Sequence, residues 1–535
     1  MTTTSTHRDK VGNPAAFESE SLKLCRCFYW HICCYEHVDT LFNNAYNERM
    51  ANRGIIGDDM TTFVGRKQEL LKLNDLTQKR QANLIVIKGR RRIGKSRLAE
   101  EFAKDKIFIN FTGLAPEEGL TSQNQRDAFA TRLVQHFRLP SVTFNDWTDA
   151  FYNLSFQLTN QPTVILFDEI SWMGAKDPTF IPKLKAWWDL DIQNRANVML
   201  IFCGSVSTWI ENNIIKSTAF FGRISLILEL LPLSLMDSAN FLRIRGVKGT
   251  ENDIYKILSV TGGIPWYLEQ ILPHYSADQN IHKLCFEKGG LLTYEFNRIF
   301  YDLFSSRGDI YKNILISLRD GMQTLDSIRN VLHYPKSGTL SVLMEHLIIS
   351  GFVTKHAQWG LKTGQEKRQS LYRLNDPYIR FFLKYIEPNL AKINKGNYEE
   401  IEMAQLPGYE TMLGFQIECL LLQNRSALLK AIAINPADCV FDNPYLQVQS
   451  TKHKGCQIDY LIQTRMNNIY ACEFKFRRKE LGTEIIEEMQ TKMDKIALPR
   501  GYAIVPVLFH IGGVSDKVID KQFFYRVIDL ANLLN

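Results

Sequence analysis

The sequence predicts a multidomain α/β protein whose first large domain is built on a parallel sheet. Short apolar runs, NLIVIK at Asn83–Lys88, PTVILFDE at Pro162–Glu169 and NVMLIFCGS at Asn197–Ser205, have the length and β-branched character of strands buried on both faces. The first leads through a glycine loop into SRLAEEFAKD, whose apolar spacing is helical, so strand, loop and helix follow one another. At 535 residues the chain exceeds one hydrophobic core, and roughly 150 residues per domain gives about three or four.

The composition is that of an ordinary globular chain. With 45% hydrophobic, 11% aromatic and 23% charged residues, each large segment buries enough apolar surface to offset the entropy of ordering it. A net charge of +7 permits a polyanionic partner without requiring one. Ten cysteines show no paired spacing of a disulfide framework, and neither a cleavable leader nor a membrane-spanning run is present, so a reducing cytoplasm and no membrane are expected.

Residues 1–59 read as an N-terminal extension. Its LCRCFYWHICCYEH places Cys25, Cys27, Cys33 and Cys34 near His31 and His37, but none of the spacings is the two-residue gap that lets one turn present two zinc ligands. It reads as an amphipathic docking segment, or as an extension ahead of a start at Met50 or Met60.

IKGRRRIGKSRL, Ile87–Leu98, places three arginines between Gly89 and Gly94 and follows them with Lys95 and Ser96. After a strand and before a helix, the glycines let successive backbone N–H groups face phosphate oxygens, while Lys95 reaches the terminal phosphates and the Ser96 hydroxyl ligates Mg2+. The expected nucleotide-contacting stretch includes Gly89, Arg92, Ile93, Gly94, Lys95, Ser96 and Arg97. The second apolar strand ends in Asp168, which would hold Mg2+ through water, and Glu169, which would orient and deprotonate the attacking water. That second acid favours hydrolysis over a kinase. The third strand ends at Ser205, a candidate γ-phosphate sensor. Arg223, in AFFGRISLILEL, is a candidate transition-state cation for its own site or a neighbour's. TKMD at Thr491–Asp494 looks like a guanine-reading motif but lies in a helical pattern far from the loop, so ATP is the expected nucleotide.

FVGRKQEL (Phe63–Leu70), GRRRIGKSRL, ILFDE, FCGS, FFGR and TGGIPWYL form an ordered series. It resembles the archaeal-type ATPases of the STAND group, signal-transduction ATPases with numerous domains related to AAA+ P-loop proteins, from Phe63 to about Asn389. The resemblance implies that Val64, Gly65 and Arg66 touch the nucleotide base, and that Gly263 and Pro265 line the adenine side from a helical lid. It also places Arg90, Arg91 and Arg92 in the loop, paired with acids of the lid or of a partner rather than with phosphate.

From Ile310 to Asp376, two short helical patterns precede SGTLSVLMEHLIISGFV and a hairpin, which resembles a winged helix. Its candidate wing carries Lys355, Lys362, Lys367, Arg368 and Arg373 against the single acid Glu366, suited to DNA phosphates. The preceding helix has almost no side chains that read base edges, so contact is expected to be non-sequence-specific. The aromatic residues of YRLNDPYIRFFLKYIEPN read as core rather than as a base-stacking surface.

IDYLIQTRMNNIYACEFKF, Ile458–Phe476, reads as two strands around a turn centred on Met466. That register sets Asp459 opposite Glu473, with Lys475 on the same face and Cys472, Phe474 and Phe476 on the other. Paired carboxylates with a lysine are suited to Mg2+-assisted phosphodiester cleavage. The arrangement resembles the PD-(D/E)XK nuclease superfamily, with Ile458 in place of the named proline and Gln457 where related fused ATPases often carry an acid. Glu418, on an upstream helix, offers a third metal-binding carboxylate, and Gln490 is a polar candidate on a later helix.

The expected architecture is thus a P-loop NTPase with parallel sheet and helical lid (60–235 and 236–300), a winged-helix domain (301–395) and a C-terminal α/β PD-(D/E)XK-like domain (396–535). Its expected function is an ATP-hydrolysing switch controlling a nuclease-like domain that acts on DNA. A regulator or scaffold with an inactive nuclease fold, and a nucleic-acid motor, stay open. So do a homo-oligomer and a protein partner docking through the lid, the winged helix or the N-terminal segment.

Overall fold

Five strands, β1 (Asn83–Gly89), β2 (Ile107–Thr112), β3 (Thr163–Asp168), β4 (Val198–Ser205) and β5 (Ile224–Leu230), form a sheet in the order β2-β3-β4-β1-β5. All its pairings are parallel. The order brings the C-terminal ends of β1, β3 and β4 side by side, with Gly89 in register with Ser205 and Phe167 with Phe202. The computed structural model describes residues 62–535 apart from Glu118, Val206, Ser207, 305–307, Ser337, Ser450, Lys452 and His453. The cysteine-rich segment and its candidate start sites lie outside the described residues.

The apolar runs are buried on both faces because side chains alternate across a strand. Leu84, Val86, Ile165, Phe167, Leu200 and Phe202 meet the aromatic layer of Trp147, Phe151 and Phe180. Ile85, Ile87, Val164, Leu166 and Ile201 face the other way, into a core shared with Val260, Ile264 and Tyr267. These last three belong to the helical segment that follows β5, which includes helices Leu235–Ile244, Glu251–Thr261, Pro265–Glu269, Ala277–Cys285 and Leu291–Phe304.

Next come helices Gly308–Ser317, Leu325–Val331 and Thr339–Ile349, with an antiparallel sheet of β6 (Gln323–Thr324), β7 (Val353–Gly360) and β8 (Gln365–Leu374) in the order β6-β8-β7. The aromatic segment after β8 is core: Tyr378, Phe381, Phe382 and Tyr385 are all buried. Helix Tyr409–Gln423 leads to a mixed sheet of β9 (Cys439–Gln447), β10 (Cys456–Thr464), β11 (Asn468–Lys475), β12 (Ala503–His510) and β13 (Arg526–Asp529) in the order β13-β12-β11-β10-β9. The β10–β11 hairpin has the register expected from its turn, with Tyr460 opposite Cys472 and Leu461 opposite Ala471. The next step of that ladder brings Asp459 to Glu473.

Packing does not break at the expected boundaries near 235, 300 and 395. Phe63–Asn535 is one compact unit. One core runs from the sheet strands to Leu413, and another joins Leu242 and Tyr255 to Tyr460, Cys472 and Leu534. The hairpin β7–β8 is fastened to the C-terminal sheet: Trp359, fully buried, donates from Nε1 to Gln463 Oε1 at 2.7 Å, and Gln358 Nε2 donates to Pro444 O at 3.0 Å.

Candidate functional site

The loop after β1 turns on Gly94, whose φ of 90° lies in the left-handed region that glycine adopts without steric cost. Gly94 is also the N-cap of helix Lys95–Phe102 and makes no side-chain cap, so the first N–H groups of that helix suit an anion. The buried Lys95 reaches back over the loop, its Nζ donating to Gly89 O at 3.3 Å and Arg90 O at 3.4 Å. Ser96 Oγ donates to Asp168 Oδ2 at 2.6 Å, which sets a hydroxyl and a carboxylate together as oxygen ligands suited to Mg2+. These features fit a Mg2+–nucleotide, with Gly89 to Ser96 against the phosphates.

Three non-glycine residues around the loop have left-handed backbone: Arg66 (φ 58°), Arg92 (φ 71°) and Glu169 (φ 48°). Each such residue costs on the order of 1–3 kcal/mol and persists where its surroundings over-determine it. At Arg66 the surroundings are Ile93 O and Leu231 O, which accept from Nη2 at 3.3 and 2.6 Å. This ties the Val64–Gly65–Arg66 segment to both the loop and the end of β5. Leu233 N donates to Gly263 O at 2.7 Å, and a Cβ at Gly263 would lie 2.2 Å from Leu233 O, so only glycine fits there. Pro265 starts its helix 3.9 Å from where a Gly94 Cβ would stand.

Ser205, expected to sense phosphate, engages Glu169 instead. Its N–H and Oγ both donate to the carboxylate at 3.2 Å. The acid that would activate water is therefore held at the end of β4. Arg97 lies along its helix, within 3.5 Å of Glu100 and 4.0 Å of Glu101.

Arg223 corrects the sequence reading for its own chain. It precedes β5, which runs parallel to β1 with Leu84 beside Ile224 and Gly89 beside Leu230. Arg223 therefore sits at the opposite end of the sheet, about 20 Å from the loop at roughly 3.3 Å per residue. It forms a fork with Asp189 at 2.6 and 2.9 Å. Arg223→Ala is expected to leave ATP turnover within about twofold and to cost at most about 1 kcal/mol, as a partly exposed ion pair does. Steady-state kinetics and denaturant unfolding check both.

Two of the loop arginines, Arg90 and Arg92, meet acids, one of which comes from beyond the lid. Arg92 is bidentate to the buried Glu295, at 3.2 and 3.3 Å, and stacks 3.7 Å over Trp266. Its guanidinium is thus turned from phosphate, leaving only its backbone for nucleotide. Arg90 is buried in an ion pair with Asp376, just after β8, and donates to Tyr267 OH at 3.3 Å. Tyr267 OH in turn donates to Glu295 at 3.4 Å, so one network links the loop, the Trp266–Tyr267 pair of TGGIPWYL and the segment after β8. Sequence reasoning missed Glu295 and Asp376, which lie 203 residues beyond Arg92 and 286 beyond Arg90; Asp376 stands in YRLNDPYIRFFLKYIEPN, a segment within the resemblance, but its partner is not readable there.

A second cluster lies in the C-terminal sheet. Glu418, Asp459 and Glu473 line one cavity of about 240 Å³. Asp459 Oδ2 accepts from Phe474 N at 3.0 Å. Glu473, buried, is held by Lys475 at 3.0 Å and Lys492 at 2.5 Å, and Lys475 also reaches Glu488 at 2.8 Å. Glu418 is paired with Arg373. Among the described residues no group of three or more His, Cys, Asp or Glu is placed to hold a metal ion. With Glu473 and Glu418 committed to cations, the donor set does not fit a divalent metal in this arrangement.

Two further sequence assignments change here. Arg373, read as a wing residue facing phosphate, is buried against Glu418 because it points inward near the base of β8. Lys355, Lys362, Lys367 and Arg368 are exposed. Gln490 points to solvent and bonds Asp494 at 2.7 Å. The face of helix Glu484–Lys495 that meets the carboxylates instead carries Glu488 and Lys492, a spacing of four that helical periodicity alone could have flagged.

Burial and the neighbouring Glu473 and Glu418 raise the Asp459 carboxyl well above the usual carboxylate range, opposed by Lys492 and the Phe474 N–H. A raised folded-state pKa means that the folded chain binds more protons. The contribution of this group is then complete below the unfolded value of about 3.9 and is lost as pH rises through the folded value. Asp459→Asn keeps an acceptor for Phe474 N–H. It is expected to stabilise the protein by on the order of 1–3 kcal/mol near pH 8 and not near pH 4, which calorimetry at the two pH values checks.

Residues 63–271 match the family described as an ATPase domain predominantly from Archaea. That stretch, which is similar to this family, contains the parallel sheet and the glycine loop of a P-loop NTPase fold. An uncharacterized protein of Methanocaldococcus jannaschii is 26% identical over 435 residues, 80% of this chain and 90% of that protein. An uncharacterized ATP-binding protein of the same organism is 46% identical over 44 residues, 8% of this chain and 75% of that one. A Walker-type ATPase of Pyrococcus abyssi is similar in structure with a TM-score of 0.47 and 18% identity, covering 60% of this chain and 96% of its own. No helix among the described residues is long and apolar enough to cross a membrane.

Proposed function

We propose that this protein binds and hydrolyses ATP with Mg2+ as a switch, and that its nucleotide state governs a PD-(D/E)XK-like C-terminal domain acting on DNA. The observation that carries the reading is the segment Arg373–Asp376. At one end Asp376 pairs with Arg90 of the phosphate loop, and at the other Arg373 pairs with Glu418 of the carboxylate cavity. Only Leu374 and Asn375 separate the two ion pairs, so a loop that rearranges with the γ-phosphate pulls on the base of β8 and thereby on Glu418. In this reading Lys95 holds the terminal phosphates, Ser96 and Asp168 serve Mg2+, and Glu169 is released from Ser205 to act on water. Helices Gly308–Ser317, Leu325–Val331 and Thr339–Ile349 with β6–β8 form a winged helix whose exposed wing cations, Lys355, Lys362, Lys367 and Arg368, touch DNA phosphates without reading sequence.

A second reading, a nucleotide-dependent DNA-binding regulator whose nuclease-like fold does not cut, is favoured by the hold of Lys475 and Lys492 on Glu473. Cleavage of single- and double-stranded DNA with Mg2+, in the presence of ATP, ADP and a non-hydrolysable analogue, separates them. The first reading expects cleavage that depends on nucleotide and is lost in both Lys95→Ala and Lys475→Ala. No cleavage with any nucleotide, alongside nucleotide-dependent DNA binding, selects the second, whereas rates equal in all three nucleotides overturn the switch.

A further inference from the structure

A cavity of about 190 Å³ lies where the turn Asp320–Met322 meets β8, helices Pro377–Phe381 and Tyr409–Gln423, and strands β9 and β10. Its lining runs from the exposed Asp320 and Gln457 to Arg380, which is 2% exposed. The Arg380 guanidinium has five donors to place. Among the described residues its side chain makes one hydrogen bond, from Nη2 to Leu374 O; Nε has no partner, and no carboxylate pairs with it. Burial lowers its pKa. A buried charge without a counter-ion is costly and buried donors are nearly always satisfied, so the space beside Arg380 calls for an anion.

The two acids of the lining are already taken. Glu418 pairs with Arg373, and Asp320 is held by Arg319 at 3.0 Å and by Lys384 at 3.6 Å. Four cations thus stand against two acids, and Arg380 is the cation with no acid of its own. Phe415 and Glu418 also line the carboxylate cavity, so the two spaces share a wall.

We propose that this cavity binds a phosphate group against Arg380, as free phosphate or as the terminal phosphate of a nucleic-acid strand lying at the carboxylate cavity. A guanidinium presents its N–H groups in a planar fork that matches phosphate oxygens, and the charge-assisted bonds supply the counter-ion that the chain does not. The volume is below the roughly 300–1,000 Å³ usual for drug-sized ligands, so it admits a phosphate group and not a whole nucleotide. Water would satisfy Nε but leave the charge unopposed. The strand-end form of the ligand rests on the DNA reading above; binding of free phosphate does not.

The test is calorimetric titration of the full chain with inorganic phosphate and with one oligonucleotide carrying a phosphate at its 5′ end, at its 3′ end or at neither. Mg2+ and a non-hydrolysable ATP analogue are present at saturation, so that the phosphate loop is filled, and chloride at matched ionic strength is the control. A saturable phosphate site with a Kd of about 1 mM or tighter is expected, weakened at least about tenfold by Arg380→Met and less by Arg380→Lys. Gln457→Glu, at an exposed position, sets an acid at the cavity and is expected to weaken phosphate at least about threefold. It tests the site even if the buried Arg380 variants fail to fold. An oligonucleotide bound more tightly with a terminal phosphate than without identifies the strand end as the source, and equal binding of the three identifies free phosphate. Analogue binding and cleavage are read in the same samples, so failure of the ATP or nuclease reading shows separately. The proposal is overturned if the wild type shows no saturable phosphate binding, or if variants that still bind the analogue take phosphate as the wild type does.

Discussion

Lys95→Ala is expected to lower kcat for ATP hydrolysis by about two to three orders of magnitude, the effect of removing one preorganised charge from a phosphoryl-transfer site. The neighbouring Arg90 is committed to Asp376 and Arg92 to Glu295, so neither of these two is placed to take over. Glu169→Gln separates binding from chemistry. Its amide oxygen still accepts from Ser205 N–H while the Ser205 hydroxyl turns to accept from the amide NH2, and the variant is expected to bind ATP as the wild type does while losing turnover, since an amide cannot accept the proton of water. Turnover and nucleotide binding measured on both variants check this. Substantial hydrolysis in Lys95→Ala would remove the loop from the mechanism.

Asp376→Ala is expected to cost about 3–5 kcal/mol, because it leaves the Arg90 charge buried without its partner. Asp376 also caps the helix Pro377–Phe381 by accepting from Ile379 N at 3.0 Å, and losing the cap adds about 1 kcal/mol. Arg90→Met together with Asp376→Asn removes both charges and keeps the cap acceptor, so the double variant is expected to recover much of the loss. Denaturant unfolding of the three variants gives the coupling. A loss below about 1 kcal/mol in Asp376→Ala would mean that the pair is not buried as described. Arg223 and Asp189, a partly exposed pair, are the internal comparison.

Much of this was legible in the chain because it rests on local physics. The strand before Gly89, the turn at Gly94 and the acids ending TVILFDE follow from period and spacing, and β1 and β3 stand where those patterns put them. The hairpin around Met466 is similar: a turn and alternation are enough to bring Asp459 to Glu473. Local patterns misled where a residue's partner comes from another module. Arg373 reads as one more wing cation until Glu418 is seen beside it, and Arg223 reads as a neighbour of the site until the parallel pairing of β5 with β1 places it at the far end of the sheet.

By itself the sequence determined the strand and helix that flank the phosphate loop, where that loop lies and how the carboxylate hairpin pairs, since each depends on residues within a few turns or strands of one another. Only the tertiary structure decided which cations are spent on which acids: Arg90 on Asp376, Arg92 on Glu295, Arg373 on Glu418, Lys492 on Glu473. Charge carries no periodicity that names its partner. A buried ion pair is specified by the packing that excludes water around it, and that packing is contributed by elements far apart in the chain.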